Sequence, residues 1–336
     1  MGLLDWVFGG DKERKVPPRD DALAKEIVDR VVAATDKRLR SIGGYEKTLR
    51  EPALTTLAYL RGIADGIPGP VDVNTRAWTD NPQIRALFAK PQDVAATFSR
   101  DAGVRNCLAR STDPECLAFL ALARKERQVF APAQKGDMIQ HEVAQTTVSF
   151  GDARILAPAT DPISVRVELG KRAIDFLALR ALAQMTAHAQ ERKDLEQERA
   201  LLKVRLQLAE QGHMGFTDLT AATAVATPSR TALAAKLAEN EAALATLAST
   251  GLMTRFLDIV RDVLVNPQAH LRLEPRTIAL DAMNYRVADE AAATVVLQLR
   301  EMMLPERPPF AVMLARFPRA ELLPAEDALA QAEKYL

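Results

Sequence analysis

The longest regular pattern in the chain predicts a helical hairpin, here called the arm, over residues 162–266. Its first helix begins at Asp161-Pro162, a common helix start, and no proline follows before Gly212. At 1.5 Å per residue, about fifty helical residues extend about 75 Å, several times the thickness of a small core. The segment 190–200 is almost entirely polar, so we expect this helix to lie largely in water.

The second helix of the arm has an apolar seam with heptad spacing. It begins at Thr227-Pro228, and its seam positions are four, three, four and three residues apart, as in a coiled coil. These positions are Leu233, Leu237, Asn240, Leu244 and Leu247. The first helix repeats the spacing in reverse at Leu206, Leu202, Arg199, Leu195 and Arg192. Antiparallel pairing therefore sets leucine against leucine and Arg199 against Asn240.

In this register Arg199 and Asn240 form a polar layer, which costs stability but fixes the alignment of the two helices. The loop at the apex of the arm carries His213, Met214 and Phe216 as candidate contact residues. A homodimeric coiled coil is the alternative, because periodicity does not say whether the partner helix belongs to the same chain. The hairpin is favoured because two compatible helices are joined by one loop.

Residues 20–130 are predicted to form a helical domain. Apolar residues recur at spacings of three and four from Leu23 to Ala34, and a second such pattern begins at Pro52. Short helices are expected to follow, each beginning at a residue pair that ends in proline. These pairs are Asn81-Pro82, Lys90-Pro91 and Asp113-Pro114.

Residues 131–336 are predicted to form a β domain that the arm interrupts. An antiparallel sheet is expected from residues 138–157, with a hairpin turn at Gly151-Asp152, and from residues 271–320. For residues 288–303 a helix is the alternative, because their apolar residues also fit helical spacing. The predicted fold class is α+β and mostly helical, with a multi-helix N-terminal domain, a small antiparallel sheet, and a long antiparallel coiled-coil-like hairpin inserted between the strands.

Charge and motifs narrow the chemistry. Basic and acidic residues number 44 each, so no global field recruits nucleic acid. The sequence contains no glycine-rich phosphate loop or serine-nucleophile motif, and its histidines stand at no zinc-ligand spacing. We therefore expect no catalytic residue, metal site or cofactor, although a site assembled from distant residues stays open. Two cysteines, Cys107 and Cys116, favour a reducing compartment, with Cys116 in the core.

A basic cluster lies between residues 36 and 50. Its members are Lys37, Arg38, Arg40, Lys47 and Arg50, together with Tyr45. A phosphate-binding patch is one interpretation. The acidic residues between them favour a solvated helix end instead.

The first ten residues form an apolar N-terminal tip, which a charged, proline-rich linker at 11–19 separates from the body. Its large apolar residues are Leu3, Leu4, Trp6, Val7 and Phe8. The tip can insert shallowly at a membrane surface, or it can dock on this protein's own core or on a partner, which we favour. No stretch has the length of a membrane span or the form of a secretory signal. We expect a cytoplasmic protein, with peripheral membrane contact as the alternative.

These patterns favour a non-catalytic interaction or scaffold protein. We expect the arm, its apex or the tip to engage a protein partner, while a homo-oligomer stays open and nucleic acid is not expected. The alternative is an enzyme or a small-ligand-binding protein with its site where the helical domain meets the sheet. A long helical hairpin can also act as a structural brace, and the sequence does not separate these roles.

Overall fold

The computed structural model describes residues 18–135, 138–210, 230–248, 251–287 and 294–324. The tip and the apex residues His213, Met214 and Phe216 lie outside these ranges. The chain divides into two compact units. The sheet unit comprises Met1–Leu23, Leu54–Ile174 and Asn266–Leu336, and the helical unit comprises Ala24–Ala53 and Asp175–Val265.

Six of the described helices lie in the N-terminal third, where the apolar spacing predicts helices, although the second begins at Tyr45 and not at Pro52. Short helices begin where side chains cap them: the Asn81 side chain accepts from the Gln83 amide at 2.9 Å, and Asp101 accepts from the Val104 amide at 2.9 Å. The predicted starts at Asn81-Pro82 and Lys90-Pro91 are confirmed. The helices are α1 (Pro18–Ala34), α2 (Tyr45–Gly66), α3 (Thr75–Asp80), α4 (Pro82–Leu87), α5 (Pro91–Arg100) and α6 (Ala102–Arg110), with a 3-10 turn at Lys37–Ser41.

The helix predicted to start at Asp113-Pro114 is wrong, because a long strand, β2 (Glu115–Lys135), begins there. The only described strand before it in the chain is the two-residue β1 (Val71–Asp72). The Asp113 amide and carboxylate both bond the Ser111 hydroxyl, which makes a turn instead of a helix cap. From Cys116 to Ala123 every residue is buried. A run that is buried on both faces has no period of two, so the sequence does not distinguish it from a buried helix. The predicted domain boundary near residue 130 falls inside this strand.

The hairpin predicted within residues 138–157 is also wrong. Strand β3 (Met138–Ala159) continues through Gly151-Asp152 and pairs antiparallel with β2 along its length. The register shifts between the pairs Ala121↔Arg154 and Ala123↔Gly151, and Asp152 has a φ of 49°. Gly151-Asp152 is therefore a bulge in one long strand. The turn was predicted because the true partner strand had been assigned to a helix.

The other strands complete a curled sheet. They are β4 (Arg272–Leu280), β5 (Val295–Met303) and β6 (Phe310–Pro318), in the order β3-β2-β6-β5-β4, with β1 parallel to β6. The strand interpretation of 288–303 is confirmed over Val295–Met303, while residues 288–293 lie outside the described ranges. After β4 the chain returns to β3, where the Val148 amide donates to the Asn284 carbonyl at 3.0 Å and the Arg286 amide to Thr146 at 2.8 Å. These bonds curl the sheet onto itself.

Both faces of the sheet are buried around residues Cys116 to Ala123 of β2. Helices α3 to α6 cover the inner face, where Phe98 stacks on Phe317 with ring centroids 4.6 Å apart. On the outer face, Val165 packs with Phe119 and Leu314. Gly69, with a φ of +121°, lets the chain approach the Leu314 backbone so closely that a Cβ atom would clash with its carbonyl.

The helical unit contains most of the arm. The helices of the arm are α7 (Pro162–Glu210), which has 49 residues, α8 (Arg230–Ala248) and α9 (Leu252–Val265). α7 begins in the sheet unit, and Arg30 on α1 bonds Asp175 on α7 through two hydrogen bonds of 2.6 and 2.7 Å. The arm lies between β3 and β4 in the chain, so the α+β prediction with an inserted helical hairpin is confirmed.

None of the described helices is by itself long and apolar enough to cross a membrane, and α8 with α9 passes that test only as a pair bent by 65°.

Candidate functional site on the helical arm

The seam between α7 and α8 uses the heptad positions. In α8, Leu233, Asn240 and Leu244 are buried and Leu237 is half-buried, at spacings of four, three and four. Leu202 is the buried α7 residue of the seam. Helices in water bury only the face that meets a partner, so this pattern marks the contact of a two-helix coiled coil.

The polar layer of the seam differs from the predicted one. Asn240 is buried, and its Nδ2 donates to the Leu195 carbonyl at 3.2 Å and to Glu198 Oε2 at 3.1 Å. Arg199 is exposed, so Glu198 takes the place predicted for Arg199. The reason is that residues 198 and 199 both satisfy heptad spacing between Leu195 and Leu202, at three or four residues from each.

An ion pair flanks this seam. Lys203 Nζ lies 3.0 Å from Glu241 Oε1, with both side chains about half exposed. Exposed pairs contribute at most about 1 kcal/mol, so this one adds little stability. It does support the same antiparallel alignment as the bonds of Asn240.

A second apolar stripe runs along α7, away from the seam. The outer stripe consists of Leu201, Val204 and Leu208, which are 50%, 54% and 45% exposed. Because a helix turns by about 100° per residue, these positions share a face that lies about 120° from Leu202. Large apolar side chains grouped on an exposed helix face are typical of a binding surface.

Neighbouring surfaces of the arm are different in character. The outward residues of α8 that the structure describes as exposed include several alanines but no large apolar residue. These alanines are Ala232, Ala234, Ala235, Ala238, Ala242 and Ala245. Of α7 and α8, only α7 therefore carries exposed large apolar side chains among the described residues. The outer stripe is not predicted from the sequence, because α7 carries apolar residues on two faces and only the face of Leu195, Leu202 and Leu206 matches the heptad of α8.

Two arginines of the basic cluster at 36–50 are paired with adjacent acids. Arg38 donates three side-chain hydrogen bonds to the Asp36 carboxylate, and these hold the pKa of Asp36 below its ordinary value. Arg50 pairs with Glu51 at 2.6 Å. These pairs favour the solvated-helix interpretation over a phosphate-binding patch.

A buried charged group, which the sequence analysis did not identify, lies on the inner face of the sheet. Arg124 Nε donates to Glu301 Oε1 at 2.5 Å and Arg124 Nη2 to Oε2 at 3.2 Å, while Nη1 contacts Glu126. The side chains of Arg124 and Glu301 are only 11% and 4% exposed. The Arg124 amide also donates to the Pro309 carbonyl at 2.8 Å. These hydrogen bonds connect β2 with β5, and the positive charge of Arg124 is paired with the carboxylates of Glu301 and Glu126.

The two cysteines are free thiols, with Cys116 buried as predicted. Burial raises the pKa of Cys116, and its hydrogen bond with Cys107 raises it further. The Cys116 thiol is therefore protonated at neutral pH, a form that is a poor nucleophile and a poor metal ligand. Within the described ranges no three His, Cys, Asp or Glu side chains are grouped to hold a metal ion.

The junction between helices α3 to α6 and the sheet is packed with apolar side chains. Ile84, Val94 and Val104 from the helices pack with Leu120 and Met313 from the strands.

Comparison of the chain with protein-family models, with curated proteins and with solved structures finds no match.

Proposed function

We propose that this protein is a non-catalytic interaction protein that docks on another macromolecule through its arm. The observation that carries the proposal is the outer stripe. The seam of α7 is already filled by α8, so Leu201, Val204 and Leu208 are not needed to hold the hairpin together. A partner that covers them removes exposed apolar surface from water.

The energetics indicate what kind of contact this is. Covering the exposed half of each side chain contributes about 1 kcal/mol, and association itself costs several kcal/mol. Three such residues support a weak or transient contact, or one part of a larger interface.

The alternative of a small-ligand site at the junction of helices and sheet has less support. Apolar side chains fill that junction, and the buried Arg124 and Glu301 pair with each other. Neither feature presents convergent polar groups to a ligand.

The stripe can be tested directly by replacing its three residues with glutamine, a good helix former that keeps the length of the side chain. The triple variant Leu201→Gln, Val204→Gln and Leu208→Gln is compared with wild type by crosslinking and affinity capture in cells. We expect the variant to lose a specific partner that wild type retains. Far-UV circular dichroism checks that the arm stays helical.

A matched control replaces three other exposed apolar residues. These are Phe130, Ile163 and Met283, which lie outside the outer stripe. The control triple variant keeps the partner if the stripe carries the contact. Equal capture by all three proteins would sink the proposal.

For the N-terminal tip we favour docking on this protein's own core or on a partner, and we propose as the alternative a weak attachment of the tip to a membrane surface. It is supported by the sequence pattern of Leu3, Leu4, Trp6, Val7 and Phe8 alone. We expect the intact chain to float with liposomes more than a chain that lacks residues 1–10. Equal flotation of the two chains would remove the membrane contact from the proposal and leave the arm contact standing.

A further inference from the structure

The geometry of the arm points to a specific partner. We infer that the outer stripe docks on the outer stripe of a second copy of this chain, the partner subunit, with the two α7 helices antiparallel. This inference rests on the proposed function and names the partner of the same surface.

The outer stripe has its own heptad register, distinct from that of the seam. Leu201 and Leu208 are seven residues apart and occupy one core position, while Gln197 and Val204 occupy the other. In an antiparallel pair the two kinds of core position face each other. Leu201 then packs on Val204 of the partner subunit, and Leu208 packs on Gln197 of the partner subunit.

Four apolar side chains thus meet around a twofold axis, Leu201 and Val204 from each copy, and the Leu208 side chain of each copy flanks them. Such a contact is self-complementary, as a closed twofold dimer requires. Its small area predicts a weak dimer, with a Kd on the order of 10 µM.

One flank of the stripe carries complementary charges. Glu198 and Arg205 are seven residues apart, so they lie on the same side of the stripe. In an antiparallel pair this flank meets its own copy, which puts Glu198 beside Arg205 of the partner subunit, and the twofold axis repeats the pair. Arg205 is exposed and has no ion-pair partner among the described residues. The amide of Asn240 uses only Oε2 of Glu198, which leaves Oε1 for this pair.

The opposite flank favours the same arrangement. Ala200 and Gln207 lie there, and neither carries a charge that an antiparallel partner must match. In a parallel pair Arg205 would face Ala200 of the partner subunit and stay without a counter-charge. The parallel ion pair would join Lys193 to Glu198 of the partner subunit, to one side of the apolar contact. The two arrangements pair equal numbers of charged residues, but the antiparallel one places its ion pairs beside the apolar contact, whereas the parallel one places them to one side of it.

Charge reversal in the full chain tests the orientation. Arg205→Glu leaves two acidic residues on the flank, and Glu198→Arg leaves two basic residues. Each variant alone repels its own copy, so we expect its dimer Kd, measured by sedimentation equilibrium, to rise by about tenfold or more. When the two variants are mixed, both interchain pairs are restored, and we expect a mixed dimer about as tight as that of wild type.

Lys193→Glu is the matched control, because it changes charge by the same amount as Arg205→Glu on the other flank. We expect it to leave the dimer Kd unchanged. A dimer that Lys193→Glu weakens and Arg205→Glu leaves intact is parallel and overturns the inference. A mixture of the two flank variants that fails to dimerise while wild type dimerises also overturns it.

Folding of the variants is checked separately, because Glu198 also holds the Asn240 amide. If Glu198→Arg unfolds the arm, Leu201→Gln provides a second disruption that leaves Glu198 and Asn240 in place, and it must also weaken the dimer about tenfold. A wild-type chain that stays monomeric up to about 200 µM, well above the expected Kd, overturns the inference. The capture experiment can still succeed in that case, so failure of the self-association and failure of the proposed function are distinguishable.

Discussion

The curled sheet and the arm use their apolar residues in different ways. In the sheet, β2 buries both of its faces from Cys116 to Ala123, one against the residues of α3 to α6 and the other against the cluster that contains Val165. In the arm, α7 buries the face at its seam and leaves Leu201, Val204 and Leu208 exposed. The difference separates a strand segment whose apolar residues are all used in the core from a helix that keeps a row of apolar residues on its surface.

Their ion pairs differ in the same sense. Arg124 and Glu301 are buried in the sheet unit and joined by two hydrogen bonds, whereas Lys203 and Glu241 are about half exposed on the arm. Removing one partner of a buried pair leaves a charge without water or counter-charge, while an exposed charge is simply solvated. The comparison therefore predicts unequal effects of similar mutations.

The largest effect is expected at the buried pair. Glu301→Gln removes the buried charge to which Arg124 donates two hydrogen bonds, and we expect the free energy of unfolding to fall by about 2 to 3 kcal/mol. We expect a loss of stability below the upper end of the range for buried pairs, because Arg124 keeps its contact with Glu126 in the variant. Urea unfolding followed by circular dichroism measures it.

The control is Glu241→Gln, the same change at the exposed pair of the arm. We expect its effect to stay below about 0.5 kcal/mol. If both variants lost the same stability, the distinction between the two regions would fail.

A smaller effect of opposite sign is expected in the seam. The Oδ1 atom of Asn240 is buried and has no hydrogen-bond partner among the described residues. We expect Asn240→Leu to raise the free energy of unfolding by about 1 kcal/mol, because it replaces this atom with apolar surface between Leu233 and Leu244. Thermal unfolding of the full chain checks the sign. A less stable variant would show that the bonds to Leu195 and Glu198 outweigh the buried oxygen.

The arm was predictable because it is a long helix in water, where only the contact face needs apolar residues. The heptad of α8 is visible for that reason, and the structure buries or half-buries its positions from Leu233 to Leu247. β2 was not predictable, because burial on both faces removes the alternation that marks a strand. The bulge at Gly151-Asp152 was misinterpreted as a consequence.

The charged group of the sheet was hidden for a different reason. Arg124 and Glu301 are 177 residues apart in the chain, and nothing in the local pattern links them. Once β2 is known to be a strand, Arg124 and Glu126 fall on one face by their spacing of two. The polar layer of the arm shows a smaller ambiguity, since the heptad admits both Glu198 and Arg199 and only the structure chooses between them.

The position of the arm in the chain also affects how the protein is made. Strands β2 and β3 are synthesised before the arm, but the other edge of β2 pairs with β6, which follows it, so that Glu115 meets Pro318. A growing chain must therefore carry an open strand edge, with its backbone donors and acceptors unpaired, while the ribosome adds the whole arm. Such edges are sites of wrong pairing between chains. The insertion makes the time taken to translate the arm an interval in which the nascent sheet is vulnerable to aggregation.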